Sequence, residues 1–318
     1  KLNMLNKNKK LQSTRDGFGE AILELGKKNK DRVGVSADLA ESTRVHHFAK
    51  KYKNRLIEVG VAEQNAMGVA AGLALSGKIP YVTSFGVFSP GRNWDQLRVS
   101  VCYTNANVKI IGSHTGLSVG PDGASHQALE DIAITRVLPN ITVLAPSDFI
   151  ETKKATIAAS KIKGPVYIRF ARHKGPDINT NKTPFTVGKA NILLKGSAVT
   201  IVGCGPVLAE ALKAAEILAK ENIKVEIINS HTIKPLDKKT ILKSIKKTKK
   251  LITLEDHQVV GGLGSAVVEM LAENFPVPTI MLGVRDTFGE SGKTDELWEK
   301  YGLSDGHIMS AVKKIIKK

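Results

Sequence analysis

The chain has 318 residues, with 47 Lys and Arg against 30 Asp and Glu, a formal net charge of +17, and 42% hydrophobic residues. That hydrophobic content excludes a disordered chain, and no apolar run approaches the ~20 residues of a membrane span. The basic start "KLNMLNKNKK" lacks the apolar core of a secretory signal, so a cytoplasmic protein is expected.

The positive charge collects in "KNKK" (7–10), "KSIKKTKK" (243–250) and "KKIIKK" (313–318), and only 5% of residues are aromatic. Without aromatic residues interleaved for base stacking, these runs read as solvated faces, and neither nucleic acid nor membrane is an expected partner. Cys102 and Cys204 are too few for a disulfide framework and lack metal-ligand spacing, so both read as reduced core thiols.

In chain order, a first helix begins near Arg15. "RVGVSADL" (32–39) and "RLIEVGV" (55–61) read as strands, and "AEQNAMGVAAGLALSG" (62–77) as a helix. "IPYVTSF" (79–85) is a strand, "GRNWDQLRVSVCYTN" (91–105) a helix and "VKIIGSH" (108–114) a strand. "HQALEDIAITRVLP" (126–139) is a helix, "ITVLAPS" (141–147) a strand, "FIETKKATIAASKI" (149–162) a helix and "PVYIRFA" (165–171) a strand. Strands alternating with helices predict a parallel sheet covered on both faces. The Gly- and Pro-rich, aperiodic stretch 172–188 reads as a connection between domains. Strands are then expected at 198–204, 224–230, 250–256 and 279–284, with helices at 207–222, 238–248, 264–275 and 306–317. The prediction is an α/β chain of two domains, each a mainly parallel sheet with helices on both faces. The domains span 11–175 and 189–318, joined by 176–188.

Ligands of such sheets bind beyond the carboxyl ends of the strands, and the unusual polar residues lie in those loops. Glu63 stands among Val, Gly and Ala with no Lys or Arg within four positions, a costly acid unless something pairs with it. In "GSHTGLSVGPDGASHQALEDIA" (112–133), glycines allow close approach of backbone to a ligand. His114, Asp122 and His126 there either handle protons on a hydroxylated substrate or are satisfied loop residues, with Ser125 capping the helix. Arg15 and Arg172 either grip a phosphate or form surface ion pairs. Arg169 alternates with Ile168 and Phe170, so it points the other way. Phe85 and Phe88 are core anchors or an aromatic wall for a flat ring.

Taken together, "VSADLAES" (35–42), "VGVAEQNAMGVAAGLA" (59–74), "SFGVF" (84–88), the 113–133 segment and "GPVYIRFAR" (164–172) resemble the pyrimidine-binding domain of thiamine-diphosphate enzymes of the transketolase type. "NSHTIKPLD" (229–237), "LEDHQVVGGLGSAV" (254–267) and "DTFGESG" (286–292) resemble that family's C-terminal domain. The resemblance is strongest to the separate C-terminal subunit of split transketolases. It implies that Glu63 hydrogen-bonds a pyrimidine nitrogen of thiamine diphosphate and activates the cofactor, in which case the missing partner of this acid is the cofactor itself. It also implies that Phe85, Phe88 and Leu39 contact the ring, and that His114 and His126 bind the donor ketose. Asp122 would recognise a sugar hydroxyl, and Arg15, Ser42, His114 and Arg172 would hold sugar phosphate. An aromatic usual in the family falls on Gly91, with Trp94 a partial substitute.

The family's Mg²⁺ ligands, a Gly-Asp-Gly run followed by an Asn, are not found in the sequence. The expectation is therefore an enzyme active only with an N-terminal transketolase subunit that carries Mg²⁺ and binds the diphosphate, as an α2β2 heterotetramer. It would transfer a two-carbon ketol unit from a ketose phosphate to an aldose phosphate. The alternatives are a 1-deoxyxylulose-5-phosphate synthase-like enzyme, the β subunit of a 2-oxo-acid dehydrogenase, a nicotinamide oxidoreductase built on "IVGCGPVLAEAL" (201–212), or a non-catalytic subunit.

Overall fold

The computed structural model describes residues 11–317, so the basic run 7–10 lies outside the described residues. The first half supplies strands β1 (Gln12–Ser13), β2 (Arg32–Ser36), β3 (Leu56–Glu58), β4 (Ile79–Phe85) and β5 (Lys109–Ser113), then β6 (Thr142–Leu144), β7 (Val166–Arg169) and β8 (Lys174–Gly175). The second half supplies β9 (Asn191–Leu194), β10 (Thr200–Gly203), β11 (Glu226–Asn229), β12 (Thr232–Lys234), β13 (Leu251–Gln258) and β14 (Thr279–Val284). They form a seven-stranded sheet of order β12-β6-β7-β5-β4-β2-β3, a five-stranded sheet of order β14-β13-β10-β11-β9, and a small β1-β8 pair. In the larger sheet only β12 runs antiparallel, against β6, and in the smaller only β9, against β11. This is the expected α/β architecture of two mainly parallel sheets.

The strands β4, β5 and β7 are buried along nearly their whole length, as continuous apolar runs between two helix layers should be. Helix Thr14–Lys28 lies on helix Phe149–Ala159 so closely that a Cβ on Gly17 would fall 2.3 Å from the Phe149 carbonyl oxygen. Two helices start on acid caps that satisfy an otherwise unpaired amide. Asp148 accepts from Glu151 N (2.7 Å) and Asp237 accepts from Thr240 N (3.1 Å).

The structure departs from the sequence reading in five places. The segment read as one helix over 91–105 is helical at Trp94–Gln96 and then wound as a π-type helix over Leu97–Tyr103. The helix expected from His126 begins only at Asp131, so Ser125 does not cap it; its hydroxyl instead meets His126 Nδ1 at 2.9 Å. Helix Thr294–Lys300 and edge strand β9 are additional elements. Strand β12, inside the motif assigned to the second domain, completes the sheet of the first.

One apolar cluster therefore runs through both halves, joining Val35, Met67 and Ile110 to Val202, Ile228 and Leu263. Both cysteines are free and buried there, and burial pushes the Cys102 thiol up to about 11.

Candidate active site

The segments that follow the carboxyl ends of β2, β4, β5 and β7 carry the candidate residues. Beyond β4, Phe85 and Phe88 stack at 6.1 Å with 12° between their planes. Beyond β5, His114 lies flat on Phe85 at 3.8 Å, and His126 meets both phenylalanines edge-on at 6.0 and 5.5 Å. The two histidines and two phenylalanines of the sequence reading thus form a single cluster.

His114 is 2% exposed and sits at φ +54°, a left-handed conformation that costs a non-glycine residue about 1 kcal/mol. Arg15 Nη1 approaches its Nε2 at 3.4 Å. Arginine can only donate, so Nε2 carries the lone pair and the Nδ1–H donates to Ser113 Oγ at 2.9 Å. Burial first, then the charges of Arg15, Arg172 and Arg44, push the His114 pKa down to about 3. It is a neutral hydrogen-bonding group at working pH.

Arg15 is half-buried, and Nη1 also donates to the Ser42 carbonyl (3.1 Å), while its Nε has no partner. Burial and the nearby charge of Arg44 lower its pKa. Arg172 Nη1 donates to Asp122 Oδ1 (2.9 Å) and to the Val119 carbonyl (3.2 Å). Asp122 and Arg172, read separately from the sequence, are therefore an ion pair. Leu39 is partly exposed at the end of β2, just before the short helix Ala40–Thr43 that carries Ser42.

Glu63 opens helix Glu63–Leu75 and is 1% exposed. The structure supplies a partner that the sequence did not reveal. Arg92, 29 positions away, donates from Nη1 to Glu63 Oε2 at 2.8 Å and lies over the Phe88 ring at 4.7 Å. Asn93 Nδ2 adds a bond to the Glu63 carbonyl (3.1 Å). The expectation that Glu63 lacks a protein partner is corrected accordingly. Trp94 does not join the aromatic wall: its indole donates to the Ile134 carbonyl (2.7 Å) and its ring packs against the core. Arg169 does point away from the rim, binding Asp131 through Nε (2.9 and 3.2 Å).

The Arg92 contacts test the site against an aminopyrimidine. Arg92 lies over Phe88 while donating to a buried carboxylate, and an aminopyrimidine likewise presents a flat face and an amino donor. A flat aromatic wall and a buried carboxylate suit such a ring. A cavity of about 470 Å³ lies elsewhere, between the two halves and lined by Asp148, His173, Glu210, Lys213 and Trp298. It includes none of the rim residues above.

The chain matches the transketolase pyrimidine-binding domain over residues 10–177 and the transketolase C-terminal domain over 188–308. It is 44% identical to a transketolase C-terminal section of Methanocaldococcus jannaschii, covering 96% of each chain. It is 43% identical to a 6-deoxy-6-sulfo-D-fructose transketolase subunit of Clostridium sp., covering 96% of this chain and 94% of that one. Human transketolase is 37% identical, but the chain spans only 49% of its length. A solved structure titled as a split gene transketolase in an inactive beta4 tetramer superposes with a TM-score of 0.88 at 42% identity, covering 97% of this chain and 99% of that one.

Proposed function

The chain belongs to the transketolase family, and we propose that it is the C-terminal half of a split enzyme. Joined to an N-terminal subunit as an α2β2 heterotetramer, it transfers a two-carbon ketol unit from a ketose phosphate to an aldose phosphate in the cytoplasm. The observation that carries this reading is Glu63, a buried carboxylate beside the Phe85–Phe88 stack at the sheet's carboxyl rim.

Thiamine diphosphate, when bound, supplies the carbon nucleophile that cleaves and reforms the bond to the sugar carbonyl. In this reading Glu63 hydrogen-bonds the pyrimidine nitrogen from its buried place at the start of helix Glu63–Leu75. Phe85, Phe88 and Leu39 hold the ring, and Arg92 swings off Glu63 to admit it. His126 and neutral His114 orient donor hydroxyls, and Asp122 reads one of them. Arg15, Ser42 and Arg172 hold the phosphate, since guanidinium forks suit its oxygens.

The face of helix Glu63–Leu75 supports a missing partner. A Cβ at Gly68 or Gly72 would meet nothing within 4 Å, and nearby Val61, Leu75 and Tyr103 are 72%, 69% and 85% exposed. An apolar, small-residue surface of this kind beside a site is a surface to be covered. Among the described residues no group of three or more His, Cys, Asp or Glu is placed to hold a metal, and we assign the Mg²⁺ ligands to the N-terminal subunit. No helix among the described residues is long and apolar enough to cross a membrane.

The test is reconstitution with the N-terminal subunit, thiamine diphosphate and Mg²⁺, following transfer between a ketose phosphate and an aldose phosphate. Transfer is expected, and Glu63→Ala should lower it by at least about 100-fold. Full activity in that variant would overturn the reading.

A further inference from the structure

The strand β13 ends in Glu255, Asp256 and His257, which are 0%, 3% and 0% exposed and have no part in the chemistry above. Glu255 caps the next helix, accepting from Leu263 N (2.7 Å) and Gly264 N (2.8 Å). Asp256 points across to the first half. Its Oδ1 accepts from Leu117 N (2.8 Å) and its Oδ2 from Ser118 N (3.2 Å). A Cβ on Gly116, at φ +75°, would fall 2.3 Å from Asp256 Oδ2. Glycine is therefore required there both for its backbone conformation and to admit the carboxylate. From the other side Arg169 Nη2 donates to the Asp256 carbonyl (2.7 Å).

Leu117 and Ser118 begin the loop that runs from His114 to His126. Its next residues hold Arg172 in place, since Val119 O and Asp122 Oδ1 both accept from it. The far end of the loop is strapped by the second half as well. Gln127 Nε2 donates to the Glu290 carbonyl (2.9 Å), and Gly123 packs on Ser291. By contrast, Glu63, Phe88 and Arg92 bind one another without any of these residues.

We infer that Asp256 is a positioning residue: through the Leu117 and Ser118 amides, the second domain sets the place of Asp122 and Arg172 and so the affinity for the donor sugar. The kinetic part of this inference rests on the proposed transketolase reading. Asp256→Asn keeps the shape but turns an amide NH₂ toward a backbone N–H, removing one charge-assisted bond and adding a donor clash.

Two measurements on the full chain test it. Hydrogen exchange, made on the chain without any partner, should show faster exchange at Leu117 and Ser118 in Asp256→Asn. In the reconstituted enzyme, donor KM should rise about tenfold while half-saturation by thiamine diphosphate stays within about twofold. Gly116→Ala should raise donor KM in the parent and do so less in an Asp256→Ala background, where room for its Cβ exists. Unchanged exchange, unchanged KM, or equal weakening of donor and cofactor would each overturn the inference. A parent chain without transferase activity would indict the half-enzyme reading, and the exchange result would still decide the bracket.

Discussion

The two sides of the rim are built differently. On one side, His114, Asp122 and Arg172 have partners from their own chain, and the loop that carries His114 and Asp122 is tied at both ends by the second half. On the Glu63 side the buried carboxylate is met by a half-exposed arginine, and the adjoining helix turns glycines to open space. The first side is preorganised within one polypeptide, whereas the second is left open. This contrast is what a site assembled between two chains predicts.

Breaking the preorganised side should have the largest effect. Arg169 and Asp131 are 5% and 0% exposed as side chains, and the Tyr167 hydroxyl also donates to Asp131 (2.7 Å). Arg169→Met should therefore cost about 3–5 kcal/mol by leaving a buried carboxylate uncompensated, measured by denaturant unfolding of the isolated chain. Loss below about 1 kcal/mol would show that the buried Arg169–Asp131 pair is not a tight one.

The open side should respond in the opposite way. Gly72→Leu should leave the isolated chain as stable or up to about 1 kcal/mol more stable, because leucine is the better helix former and meets nothing there. The same substitution should weaken association with the N-terminal subunit at least tenfold through overpacking, read by sedentimentation or size exclusion. Unaltered association would mean that this face is not the joint.

The smallest effect near neutrality concerns His114. Its folded pKa lies below the unfolded value, so its contribution to stability is complete above about pH 6.5 and is lost as pH falls toward 3. Comparing melting temperatures of the parent and His114→Asn across pH 7 to 4 should show the parent losing its relative advantage on acidification. A constant difference would mean that His114 is not held neutral by the fold.

Much of this was legible in the sequence because the signals were local. Strands Ile79–Phe85 and Thr279–Val284 and helix Lys238–Thr248 match the expected spans end to end, since apolar runs and an Asp cap decide them within a few residues. The inward turn of Arg169 followed from strand alternation alone. What escaped depends on distant partners. The Arg92–Glu63 pair joins positions 29 apart, and the Asp256 bracket spans 139; neither leaves a periodic trace. The same holds for helix Thr294–Lys300, whose buried Leu297 and Trp298 give too short an apolar pattern to stand out among turns.

The place of β12 has a consequence for modularity. Thr232 and Lys234 lend the first sheet its edge strand from beyond the connection at 176–188. Cutting the chain at that connection would not yield two independent modules. The amino-terminal fragment would expose β6 as a bare edge, a template for unwanted strand addition, and the carboxyl-terminal fragment would carry a strand with no sheet to join. The two halves are thus spliced together like a dovetail joint, and truncation should bring insolubility before it brings any loss of chemistry.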